Sequence, residues 1–130
     1  MKNINLLLKL IYSFVFLAIL CSCVAHKELM RFESSDNVLV FTNKHISAVS
    51  LESDAVGKKY ALITFSADGQ KLVSEFTGNN INNSMSIFSN NEVLMENIVI
   101  RDKLNSKSIP FSFGSDEKAN KFVNMVQGEL

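Results

Sequence analysis

The sequence predicts an α+β fold, a two-layer sandwich in which two helices cover one face of a mostly antiparallel sheet. Three observations lead there. Between Val38 and Phe113, short runs such as "VLVF", "ISAVSLES" and "SMSIFS" have strand character and are separated by turn signals. At Ser66–Phe76 and Ser115–Val126 the apolar period lengthens to that of a helix. The part of the 130-residue chain that follows its leader is long enough for one domain with one core, and it carries no repeat.

That leader comprises residues 1–22. Met1 to Lys9 holds two lysines and no acid, and Ile11–Leu20 is apolar except for Ser13. A positive start before a short apolar run is the pattern of a secretory signal, and Lys9 makes the stretch a poor retained span. "LCSC" is similar to the bacterial lipobox, with Leu20 three residues before Cys23 and small residues between. Cys23 is therefore the expected lipidation site, and the membrane a partner through that lipid. Each buried methylene contributes about 0.8 kcal/mol, and two or more chains anchor stably. Cleavage before Cys23 removes Cys21, so the mature chain is expected to hold no disulfide although it faces an oxidising compartment. Loss of Lys2 and Lys9 leaves 11 basic against 13 acidic residues. With no basic cluster, nucleic acid is not the expected partner.

Residues 23–37 read as a polar, lipid-anchored tether, with a short helical turn around Lys27–Phe32, and residues 38–130 as the folded domain. Ile46–Ser53 and Lys59–Ser66 are expected to form a hairpin across "SDAVGK". Ala67, Leu72, Val73 and Phe76 recur at helical spacing behind a Ser66 cap with Asp68 in the first turn, and Gly78 reads as the stop. Asn79, Asn80, Asn82 and Asn83 form the helix exit, since asparagine tolerates left-handed backbone. Asn90–Asn91 suits a two-residue hairpin turn between "SMSIFS" and "EVLMENIVI". In "SIPFSF", Ile109, Phe111 and Phe113 share a face while Pro110 points to the other, which suggests an edge strand. Ser115 caps the last helix, Ala119, Phe122, Val123 and Val126 form its stripe, and Gly128 ends it.

The order of "NKHISAV", "ALITFSADGQKLVSEFTGNNI", "SIFSNNEVLMENIVI" and "IPFSFGSDEKANKF" with its closing "GEL" resembles the head subdomain of the first large periplasmic domain of SecD, an accessory subunit of bacterial protein export. The likeness runs from about Thr42 to Leu130. It implies a ferredoxin-like α+β head and a mobile periplasmic module that contacts emerging polypeptide. Departures are Asn90–Asn91 where the family commonly has Asp-Gly, Asn97 in place of a proline, and Phe111 in place of a glycine. The proton-driven membrane bundle of SecD has no counterpart before Leu130, so only the head's role is implied.

Chemistry is sparse. His26 falls in the expected tether, and His45 lies at a strand start where the family also has a histidine. Glu92 and Glu96 stand about 13 Å apart along a strand, too far to share a proton. Phosphate-loop, Gly-x-Ser-x-Gly and His-Glu-x-x-His motifs are missing, and no metal site or cofactor is expected. Met85, Met95 and Met125 could form an adaptable apolar surface, although methionine at such positions is more often core. The remaining candidate is a sheet edge at Ser108, Ile109, Phe111 and Phe113 that takes up extended peptide by strand addition, although Pro110 removes one donor. The expectation is thus a non-enzymatic, lipid-anchored module facing the periplasm, on the outer membrane if the host is Gram-negative. Its expected partners are unfolded polypeptide or Sec translocon subunits. The rival expectation is a structural envelope lipoprotein that reuses the fold for an unrelated partner.

Overall fold

The computed structural model describes residues 26–130, together with Ile4. The expected lipidation site Cys23 and the leader, Ile4 apart, lie outside the described residues. Strands and helices follow in the order β1 (Met30–Ser34), β2 (Val38–Phe41), β3 (Ile46–Ser53), β4 (Lys59–Phe65), α1 (Ala67–Asn79), β5 (Ser84–Ser89), β6 (Glu92–Val99), β7 (Ser108–Phe111) and α2 (Asp116–Gln127). They build two antiparallel sheets, β2-β1-β5-β6 and β3-β4-β7, with both helices packed against them. The α+β class is as expected. The single ferredoxin-like sheet is not: β5 and β6 pair with the N-terminal hairpin instead of joining β3 and β4.

That partition depends on β1, in a segment that reads as tether. Instead of a helical turn at Lys27–Phe32, Met30–Ser34 is an interior strand, with Phe32 opposite Leu39 on one side and Ile87 on the other. Leu29, Met30 and Phe32 are fully buried. The charged residues Arg31 and Glu33 of the strand occupy its outer face. There Arg31 donates to Glu28 and Glu33, each at 2.7 Å, and its guanidinium lies 4.9 Å from the centre of the Phe88 ring. Desolvation opposes the charge on Arg31, but its hydrogen bonds to Glu33 and Glu28 outweigh this and hold its pKa above the usual guanidinium value. The folded domain therefore begins near Leu29, not at Val38.

Phe32 is where the layers meet. Its ring centroid lies 4.8 Å from Phe41, 5.9 Å from Phe76 of α1 and 6.1 Å from Phe111 of the second sheet. The amphipathic stripe of α2, formed by Ala119, Phe122, Val123 and Val126, is buried against β3 and β4. Phe122 meets Phe113 edge-on at 5.2 Å.

The expected caps form. Ser66 Oγ accepts from Gly69 N–H at 3.1 Å, and Ser115 Oγ from Lys118 N–H at 3.1 Å. Gly78, however, does not stop α1, which continues to Asn79 and ends on Asn80. The Asn80 side chain is buried, donates to Phe76 O at 2.8 Å and accepts from Ser34 Oγ and Asn37 Nδ2 at 3.0 and 3.2 Å. It closes the helix and ties it to the β1–β2 turn, a task no glycine could perform.

Asn90 and Asn91 have φ of 50° and 61°, the left-handed pair that a two-residue hairpin requires. Asn91→Ala is expected to lower stability by about 1 kcal/mol, whereas Asn91→Gly should match or slightly exceed the parent. Urea midpoints of the two variants check the sign.

Candidate functional site

Sheet edges are the first place to look, because an edge strand exposes unpaired backbone groups. β7 is such an edge, as Pro110 suggests. Hydrogen-bonded and non-bonded pairs alternate along an antiparallel ladder. Phe65 N–H donates to Lys107 O at 2.9 Å, so Ile109 and Phe111 turn their backbone groups towards β4. Ser108 and Pro110 then face the open side, where Pro110 offers no N–H. The side chains of Ile109, Phe111 and Phe113 are only 8, 6 and 3% exposed and belong to the core, while the Ser108 hydroxyl pairs with Thr64 at 2.9 Å. The apolar residues singled out for partner contact thus present nothing to a partner; β7 offers backbone alone, and its middle donor is missing.

The edges at β3 and β6 are obstructed in other ways. In β3, a bulge between Ile46 and Ala48 interrupts the register, and the outward carbonyl of Val49 is taken by Gln127 Nε2 at 3.0 Å. In β6, two register shifts interrupt the ladder, and Val93 O accepts from Lys118 Nζ at 3.1 Å.

Side chains that could carry chemistry are scattered. His45 Nδ1 accepts from Thr42 N–H at 3.0 Å, which leaves the proton on Nε2, and the ring stands edge-on to Phe41 at 6.3 Å. It fastens a turn. His26 lies 3.1 Å from Asn43 Oδ1 on the surface. Asp116, in the first turn of α2, accepts from Lys59 N–H at 2.9 Å and so ties α2 to β4. Glu92 pairs with Lys121 at 3.0 Å. Met85 is buried and Met125 borders a separate crevice beside Phe122, so the methionines do not line one crevice. Among the described residues, no three His, Cys, Asp or Glu side chains gather as metal ligands do, and no helix is long and apolar enough to cross a membrane.

One cluster was not anticipated. The bulge that opposes Glu96 and Asn97 to Ser86 gives Asn97 a φ of 52° and brings it beside the helix exit at Asn82 and Asn83. Together with Ser84, Ser86 and Glu33 they line an open polar groove of about 480 Å³ on the outer side of the four-stranded sheet. In sequence the two groups of asparagines belong to different elements, and only the strand pairing joins them. Main-chain bonds from Asn82 N–H to Ile100 O and from Ile100 N–H to Asn83 O, at 2.8 and 2.9 Å, explain the loop without recourse to a ligand.

Two solved structures share this fold. One, described as a membrane component SecDF that enhances protein export, aligns with a TM-score of 0.55 and 23% identity, over 64% of this chain and 38% of the other. The second, SecDF in a super-membrane-facing form, gives the same TM-score and identity over 64% of this chain and 11% of the other. The similarity lies in the periplasmic region of SecDF. At this identity it is a likeness of fold, and the chain spans well under half the length of either structure. No family model matches the chain, and no curated protein matches it.

Proposed function

We propose that this chain is a non-enzymatic binding module, held to the envelope membrane by lipid on Cys23, that contacts extended exported polypeptide or the secretion machinery on the periplasmic side. The observation that carries this reading is the shared fold with SecDF, a protein described as enhancing export. The signal-like leader and lipobox-like "LCSC" of the sequence support such a module in the same compartment. Because folded structure starts at Leu29, the leash from Cys23 comprises only residues 24–28, which reach at most about 18 Å when extended. The domain would therefore work close to the bilayer surface.

Crosslinking the native protein in intact cells, followed by identification of the adducts, tests this. Exported chains or translocon subunits should be enriched, and the enrichment should fall when Cys23→Ala removes the anchor. Recovery of one folded envelope protein unrelated to export would overturn the export role. It would favour the reading of an interaction lipoprotein that kept only the fold.

A further inference from the structure

Three of the four open sheet edges are obstructed: β7 by Pro110, β3 by a bulge and Gln127, β6 by two register shifts and Lys118. β2 is different. Ser34 N–H donates to Asn37 O at 2.8 Å, so the alternation of the ladder turns Leu39 and Phe41 towards β1. Val38 and Val40 therefore direct their N–H and C=O groups outwards, where no strand of the described residues lies beyond. Their side chains are 61 and 38% exposed on the outer face of the sheet. Among the described residues no proline, bulge, lysine or side-chain cap protects them, although such devices are how an edge is normally kept from pairing.

From this we infer that β2 is the peptide-docking edge of the protein, and that it adds an extended segment of unfolded polypeptide as a fifth strand beside Val38 and Val40. The inference rests on the proposed role in polypeptide contact and locates it. Two successive outward residues present two donors and two acceptors in the spacing of a strand backbone, which a peptide of any sequence can match. Residues of the added strand that lie beside Val38 and Val40 would share their outer face, which favours apolar or β-branched residues at alternate positions. A second copy fits less well. A stable interface buries about 1,200 Å² or more, and a four-residue strand with two outward residues covers a small part of that.

The test uses the full chain in detergent, with a photoreactive amino acid at Val38 and, in separate preparations, at Ser108 and Ser86. The probe is a fluorescent polypeptide kept unfolded by reduction and carboxymethylation. Position 38 should give the dominant adduct, and Val40→Pro should reduce its yield at least fivefold, because the ring removes an outward N–H that β1 does not use. Val40→Lys leaves the backbone unchanged and should lower the yield in the same direction, which covers the case in which the proline variant fails to fold. Strong adducts at position 108 or 86, unaffected by either substitution, would overturn β2 as the edge while leaving polypeptide binding in place. Absence of adducts at all three positions would overturn both readings. A position 38 adduct that joins two copies of the chain would replace peptide docking with self-pairing.

Discussion

Gly69→Ala is expected to be strongly destabilising, read as a large drop in the denaturant midpoint. A Cβ built on Gly69 would lie 2.1 Å from the carbonyl oxygen of His45, 2.9 Å from its carbon and 3.1 Å from its Cα. All three atoms are backbone, and that backbone has nowhere to go. His45 O already accepts from Ser66 N–H at 2.9 Å, and His45 N–H donates to Thr42 O at 3.0 Å. Phe41 and Ile46, on either side of this turn, are buried in the core. Overpacking typically costs 1–3 kcal/mol, and a backbone clash of this depth should cost about 3 kcal/mol or more. For a small domain that is a large share of the roughly 5–15 kcal/mol available. Gly78→Ala, nine residues further along the same helix, has the opposite expected sign. Its added methyl meets only the flexible side chain of Lys103 at 3.4–3.7 Å, so the gain in helix propensity, about 0.5 kcal/mol, should appear as a higher denaturant midpoint. A Gly69→Ala variant as stable as the parent would mean that α1 and the β2–β3 turn are not in contact.

Phe32→Ala should cost about 3–5 kcal/mol, the range for a fully buried phenylalanine reduced to alanine. The cavity would open against Phe41, Phe76 and Phe111, which belong to three different elements and cannot all close on it together. Val56→Ala, at an 87% exposed loop position, is the control and should stay within about 0.5 kcal/mol. The same reasoning applies to chain boundaries. A chain that starts at Val38 lacks the strand between β2 and β5 and should not fold, whereas one that starts at His26 keeps it. Equal protease resistance of those two chains would show that β1 is dispensable.

Much of the local structure could be read from the sequence because its causes are local. Ser66 and Ser115 cap helices whose first turns carry Asp68, Asp116 and Glu117, and Asn90–Asn91 makes the tight turn that its φ preference predicts. β1 could not be read because it has only two inward apolar side chains, Met30 and Phe32, set among Glu28, Arg31 and Glu33. Five residues are too few for an alternation to stand out against their charge. Gly69 gave no warning, since the His45 carbonyl that excludes a side chain there comes from another part of the chain. At β7, Pro110 revealed the edge, but alternation shows only that Ile109, Phe111 and Phe113 share a face, not that this face is the core. The open edge at β2 follows from the sheet order, which depends on β1 and was hidden with it.

The position of β1 also sets a timetable. It is the first strand of the domain, yet one of its two partners, β5, begins at Ser84, some fifty residues later, and the sheet closes only with β6 at Val99. The other sheet waits still longer, for Ser108–Phe111. Pairings between such distant segments form slowly, because the intervening loop must close before any contact rewards it. A chain that emerges N-terminus first therefore cannot complete its core until nearly all of it has arrived.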